Sequence, residues 1–272
     1  MTATGVIVSG GAKLYSDTST PWSPASDITA ALWLDASDTT SYTLSGSNLN
    51  TVTDKAGNFT VTIDGTPTRV SSGLNSLNVW DFNGSESLVT NSGSWASSGN
   101  HWAIGVFQWH STDSTKDSFW SADGSKTYAV SSSRDDNAWD GEIDYDGSNS
   151  ISTGKAKNDF TASINSSTWT IVSIVFNKTG NQIFGRLNGT LRTDVDTYNS
   201  SMNTNADDVR MMRNRSNQKL DGRMAEYFHV AGAPGTGGTD ITDVEKAEGY
   251  IAHKWGLASN LPVSHPYKSS AP

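Results

Sequence analysis

The sequence predicts an all-β protein, a two-sheet antiparallel sandwich closed by one C-terminal α-helix. Three observations lead there. Short apolar runs recur along the 272 residues, separated by turn signals such as Asn83-Gly84 and Asn188-Gly189. Strand and helix patterns do not alternate at βαβ spacing, and only the stretch from Thr242 carries a helical stripe. With 35% hydrophobic and 17% charged residues, and Ser, Thr, Asn, Asp and Gly filling long segments, the composition suits short strands and many turns better than a helical bundle.

Residues 1–24 read as an N-terminal arm preceding a domain over 25–272. The arm has one β-like run, Thr4 to Val8, then Gly10-Gly11 and a loop ending Pro21-Trp22-Ser23-Pro24. The prolines favour extended backbone and Trp22 offers one large apolar anchor, a design suited to attaching a domain to a larger body. From Ile28 the run ITAALWLDASD sets Leu32 and Leu34 on one face and Ala31 and Trp33 on the other, as in a strand covered on both sides. Leu49 to Phe59 and Leu77 to Leu88 add short strands, with Asp54 to Asn58 as a turn cluster. His101 to His110 alternates Trp102, Ile104 and Val106 against Ala103, Gly105, Phe107 and Trp109, which predicts a central strand. Thr168 to Arg192 reads as two strands joined through Asn177 to Asn181.

The helix is predicted over 242–255. Thr242 and Glu245 fit a capping box, Val244, Ala247, Ile251 and Trp255 form the apolar stripe, and Gly256 supplies the stop. Pro262 and Pro266 exclude further helix, leaving Leu257, Leu261 and Tyr267 to pin the tail. Trp255 is expected to be buried against a sheet, with the HPYK tail on the outside.

Charge narrows the function classes. A formal net charge of -9 opposes nucleic-acid binding, and the nearest basic group, Arg210, Arg213 and Arg215, reads as a solvated hairpin end. The chain has no cysteine, which excludes disulfides and thiolate metal sites. The first residues, MTATGVIVSGGAKLYSD, show neither the basic nor the apolar region of a signal peptide, and no apolar run approaches the ~18 residues of a membrane span.

Several blocks resemble the laminin-G-like (concanavalin A-like) jelly rolls of phage and marine-bacterial proteins. They are Leu32-Trp33-Leu34-Asp35-Ala36, Asp54-Lys55-Ala56-Gly57-Asn58, Trp80-Asp81-Phe82-Asn83-Gly84, Gly222 to Glu226, and GYIAHKWGL with LPVSHPYKSSAP. The resemblance covers most of the chain from about Trp22, and the C-terminal block is its most specific part. Val52 departs from it, since that family carries Trp before the Asp-Lys turn. The resemblance implies a two-sheet jelly-roll sandwich with the C-terminal helix packed beside it, and leaves activity open, because this fold hosts lectins, glycosidases and structural modules.

Three groups of residues invite chemistry. Glu142-Ile143-Asp144-Tyr145-Asp146 looks like the E-x-D-x-E strand of family 16 glycoside hydrolases. Carboxylates four apart on a strand start about 13 Å apart at Cα, however, and the shorter Asp146 stands where that family has Glu, so no catalytic residue is assigned. Asp135, Asp136, Asp140, Glu142, Asp144 and Asp146 are oxygen donors of the kind calcium takes, but the EF-hand spacing fails, so no metal site is assigned either. Among 10 Trp residues, Trp109, Trp120 and Trp139 lie near polar loops and are candidates for stacking on a sugar, with Asp144 and Asp146 as hydroxyl acceptors. Trp33, Trp102, Trp169 and Trp255 sit in strand or helix patterns and read as core. None of the five histidines belongs to a ligand pair, and His253 and His265 read as structural hydrogen-bonders.

The expectation is therefore a non-enzymatic bacteriophage virion structural protein, made in the host cytoplasm and displayed in many copies on the particle surface as capsid decoration or as a tail or fibre accessory. Its partners would be other virion proteins, met through the arm, and host or environmental glycans, with no nucleic acid and no membrane. The alternative, compatible with the first, is a carbohydrate-binding module or adhesin that recognises host or environmental glycans, with a family 16-like glycosidase behind both.

Overall fold

The run MAEYFHV lies in the longest strand, Asp221–Ala231, and this strand organises the larger sheet. The computed structural model describes residues 6–7, 13–14, 22–92, 100–110, 119–123, 128–135, 138–145, 156–162, 167–177, 179–180, 182–191, 196–197, 208–213 and 219–272. Across the larger sheet the order is Thr190–Leu191, Gln182–Leu187, Thr170–Asn177, His101–Trp109, Asp221–Ala231, Leu77–Asn83, Thr68–Leu74, Asn48–Val52 and Tyr42–Ser45. All of its pairings are antiparallel.

Ala225 is an extra residue in Asp221–Ala231: Val106 pairs with Glu226 while Phe107 pairs with Met224. This bulge bends the strand and lets it serve two neighbours on one edge. Asp221 to Met224 pair with Asn83 to Trp80, and Glu226 to His229 pair with Asp35 to Leu32. It also changes which alternate residues face each side, so that Met224 and Tyr227 lie on one face while Ala225 and Phe228 lie on the other.

Both faces of this sheet are covered. On one side a four-stranded sheet, in the order Trp120–Asp123, Asp208–Met211, Ser87–Thr90, Val61–Asp64, closes the sandwich over Leu32, Leu34, Phe107 and Tyr227. On the other side the helix Thr242–Lys254 lays Val244, Ala247, Ile251 and Ala252, followed by Trp255, on Trp33, Trp102, Ile104 and Phe228. The predicted stripe and the two-faced reading of Leu32 to Leu34 both hold. Val52 is buried in the sandwich core at 5% exposure, so a branched aliphatic side chain packs there. A three-stranded antiparallel sheet, Tyr128–Asp135, Ala138–Tyr145 and Ala156–Ala162, and the short ribbon Val6–Ile7 with Lys13–Leu14 complete the pairings.

Two local expectations are corrected. Pro24 opens a short helix, Pro24–Asp27, capped by Ser23, instead of continuing an extended arm; proline at the first helical position needs no N–H partner. Ahead of it, Trp22 is anchored, its ring centroid 5.1 Å from that of Tyr250. The Thr242 capping box is also absent. Thr242 is already helical, and Asp240 accepts from both its N–H and its hydroxyl, at 2.9 and 2.6 Å. Gly256 ends the helical segment as predicted, at φ +70°.

Candidate functional site

Two glutamates interrupt otherwise apolar surfaces and are fully buried between sheet and helix. Glu226 is on the central strand. Its Oε1 accepts from the indole N–H of Trp33 at 2.8 Å and the hydroxyl of Tyr250 at 3.1 Å, and its Oε2 accepts from the indole N–H of Trp255 at 2.7 Å and from Lys254 at 2.8 Å. The same Lys254 Nζ lies 2.9 Å from Asp35, which also pairs with Lys55 at 2.9 Å. Burial pushes the Glu226 carboxyl up, the Lys254 charge opposes this, and the neighbouring Asp35 adds to it. For Asp35, burial is outweighed by Lys254, Ser37 and Lys55, and its carboxyl is held below the ordinary value. The hydrogen bond from Lys55 takes Asp38 down to about 2.

Glu248 repeats the arrangement from the helix. Oε1 accepts from Ser173 at 2.9 Å and Arg186 Nε at 2.8 Å; Oε2 accepts from Arg186 Nη2 at 2.9 Å and lies 3.1 Å from His265 Nε2. The N–H of Tyr267 donates to His265 Nδ1, so Nε2 carries the proton that points at Glu248. Burial would raise Glu248, but His265 and Arg186 more than offset it and the carboxyl sits below its ordinary value. Each glutamate thus meets four donors, which leaves neither with an oxygen for a substrate. Chemically they are anchors that fasten the helix and tail to the sheet.

A third polar cluster lies open, on the helix-side face beyond the end of the apolar contact. Arg223 donates to Asp81 at 2.6 Å and to Gln108 at 3.4 Å, and Gln108 donates to the carbonyl of Ser167 at 2.8 Å. His110 lies 3.2 Å from Asp221 and 3.8 Å from Asp81. The side chains of Asp81, His110, Arg223 and Asp221 are 25, 26, 31 and 41% exposed. These groups sit on adjacent strands with fixed registers, so their geometry is held by the sheet and not by loops.

The tryptophans proposed for stacking divide differently. Trp109 and Trp120 are 3 and 1% exposed and belong to the sandwich core, with Trp120 stacked on Phe107 at 5.9 Å. They are corrected to core residues: Trp109 alternates with Phe107 on the inward face, and Trp120 pairs with Met211 inside the smaller sheet. Trp139 and Asp144 fall on Ala138–Tyr145, opposite Arg134 and Ala129, and Glu142 opposite Ser131; their side chains, and Asp146 altogether, lie outside the described residues. The acidic stretch 135–146 considered for calcium shares that position, and among the described residues no group of three acids and histidines gathers as a metal site. Trp33, Trp102 and Trp255 are core, whereas Trp169 is only half-buried. His253 and His265 make structural hydrogen bonds, the former to the Tyr267 carbonyl at 2.9 Å, but His265 is buried where the tail was expected to lie outside. Of the arginine group, Arg210 pairs with Asp208 and Arg213 with Asp64, while Arg215 lies outside the described residues. Among the described residues no helix is long and apolar enough to cross a membrane.

No protein-family model and no curated protein matches the chain. Solved structures do. Domain 4 of AbnA, an extracellular family 43 arabinanase of Geobacillus stearothermophilus solved with arabinotriose, superposes with a TM-score of 0.53 at 14% identity, over 76% of this chain and 94% of that one. The binding domain of botulinum neurotoxin DC in complex with SialylT gives 0.57 at 12% identity over 81% of this chain, and the type C toxin structure whose cell entry depends on two ganglioside molecules gives 0.56 at 12% over 82%. The chain spans about half the length of those toxin structures, 50 and 52%. At these identities the likeness establishes the fold, a β-sandwich of the jelly-roll kind.

Proposed function

We propose that this protein is a non-catalytic, glycan-binding β-sandwich displayed on the surface of a bacteriophage particle. The observation that carries binding is the contrast between its polar clusters. Glu226 and Glu248 are saturated anchors, whereas Asp81, His110, Asp221 and Arg223 present hydrogen-bonding groups on a rigid, accessible sheet face, over a buried Gln108. Sugars are recognised by a few fixed polar groups of this kind. Support also comes from the sugar-bound and ganglioside-linked domains that share the fold. An array of neutral and acidic oligosaccharides, with and without calcium, tests the binding. Retention of none of them abolishes this part of the reading.

The virion setting rests on the resemblance of the C-terminal block to phage jelly rolls and on an arm suited to attachment. Mass spectrometry of purified particles tests it: the chain is expected in the virion fraction, in many copies, and a chain with residues 1–21 deleted is expected to be lost from it. Absence of the intact chain from particles leaves a free carbohydrate-binding module or adhesin.

A further inference from the structure

The open cluster continues into a row that crosses the sheet. Thr68 pairs with Asp81, Arg223 with Asp81, and Gln108 with Arg223, in register on four adjacent strands. Phe107 pairs with Thr170, so extending that register by one residue sets Trp169 opposite Gln108. All five residues share the helix-side face, because their neighbours two positions along, Val70, Val79, Ala225, Val106 and Ile171, all belong to the helix-side core. The row begins where that apolar contact ends.

Its composition fits one chemistry. A pyranose or furanose offers an apolar C–H face and, around its edge, adjacent hydroxyls that each donate and accept. Trp169 packs on the edge of the core and stays partly exposed, which sets an aromatic ring at one end of the row. Beside it, the planar groups of Arg223 and Asp81 can engage sugar hydroxyls and are held in place by their mutual hydrogen bond, while Gln108, buried and bonded to both Arg223 and the Ser167 carbonyl, forms the floor that fixes Arg223. Asp221, the most exposed of the cluster, lies two residues from Arg223 along the same face and adds acceptors.

The charge selects among sugars. Asp81 and Asp221 oppose the single guanidinium of Arg223, leaving one excess negative charge on a chain of net charge -9. A sialylated or uronic glycan would bring another anion to that field, at a cost in both encounter and binding. Resting on the glycan-binding reading above, we infer that the row Trp169–Gln108–Arg223–Asp81–Thr68 is the sugar platform, and that it takes neutral oligosaccharides through stacking on Trp169 and hydroxyl pairing along the strands.

The test uses the full chain on an array carrying neutral arabino-, xylo-, gluco-, galacto- and manno-oligosaccharides beside sialylated and uronic ones, followed by titration calorimetry with the best ligand. Trp169→Ala and Asp81→Asn are each expected to weaken binding tenfold or more. Asp221→Asn, at a more exposed position that folding tolerates, is expected to weaken it severalfold, and Val263→Ser, at a position 94% exposed and far along the tail, to leave it unchanged. Thermal melts of each variant separate loss of ligand from loss of fold. Binding by the wild type that survives Trp169→Ala, Asp81→Asn and Asp221→Asn overturns this site while the glycan reading stands. Preference for sialylated or uronic ligands overturns the neutral class, and a wild type that binds nothing overturns site and reading together.

Discussion

Lys254 and Glu226 meet at 2.8 Å across the contact between helix and central strand, with the glutamate fully buried. Removing one partner of such a pair leaves an uncompensated charge in the interior. Glu226→Ala would strand Lys254 beside Asp35 alone and leave the Trp33 and Trp255 indole N–H groups without their acceptor. A loss of about 3–5 kcal/mol is expected, read as a shift in the midpoint of chemical denaturation. An unchanged midpoint would mean that the network contributes nothing net.

The two buried glutamates carry opposite pH signatures. Glu248 is held below its ordinary value, so its contribution is present above the unfolded value and lost as pH falls through the folded one. Glu226 is held above its ordinary value, so its share is present below the unfolded value and lost as pH rises through the folded one. In unfolding titrations from pH 3 to 8, Glu248→Gln is therefore expected to narrow its stability deficit against wild type as the solution is acidified, and Glu226→Gln to widen it. Parallel curves for the two variants would contradict the assignment.

Gly249 offers a substitution whose outcome runs against helix propensity. Alanine in a helix interior is favoured over glycine by about 1 kcal/mol. A Cβ at Gly249, however, would lie 2.4 Å from the Tyr267 Cβ and 2.8 Å from its Cγ, where the tail folds back on the helix. Gly249→Ala should lower the melting temperature, and combining it with Tyr267→Ala should recover part of the loss. A more stable single variant would mean that the tail yields without cost.

Trp120 and Trp169 separate packing from recognition. Trp120→Ala removes a core ring and is expected to cost about 3–5 kcal/mol, measurable by denaturation. Trp169, at the margin of its cluster, should cost distinctly less. Equal losses would place both rings in the core.

The sequence made the strands legible because apolar alternation reports directly which faces are covered. In Leu32 to Leu34 and in His101 to Trp109 the alternation separates the sandwich face from the helix face. The same alternation puts Trp109 beside Phe107 on the inward face, and its closeness in sequence to a polar loop is no sign of exposure. The buried acids were missed because a charged residue is expected at the surface. Their signal was nonetheless present, since Glu226 interrupts an apolar strand and Glu248 follows Ala247 on the apolar stripe. Thr242 carries the residue type of a cap, but only the backbone geometry shows Ile241 in that position with no side-chain bond, and Asp240 before it accepting from the Thr242 N–H and hydroxyl. The open row could not be seen at all, because its five members are scattered from Thr68 to Arg223 and meet only through strand register.

The Trp33 indole reaches a carboxylate 193 residues further along the chain. One edge of Leu32–Asp35 bonds Asp54 and Lys55 early, but its strand partner arrives only with Glu226 to His229, and Glu226 then has the Trp33 indole without its charge partner until Lys254 and Trp255 follow. On a ribosome Leu32–Asp35 would wait without its strand partner while most of the protein is synthesised, and contacts of such separation form slowly. The fold therefore locks last at its centre, and a nascent chain stalled before Trp255 would be a substrate for chaperones and proteases.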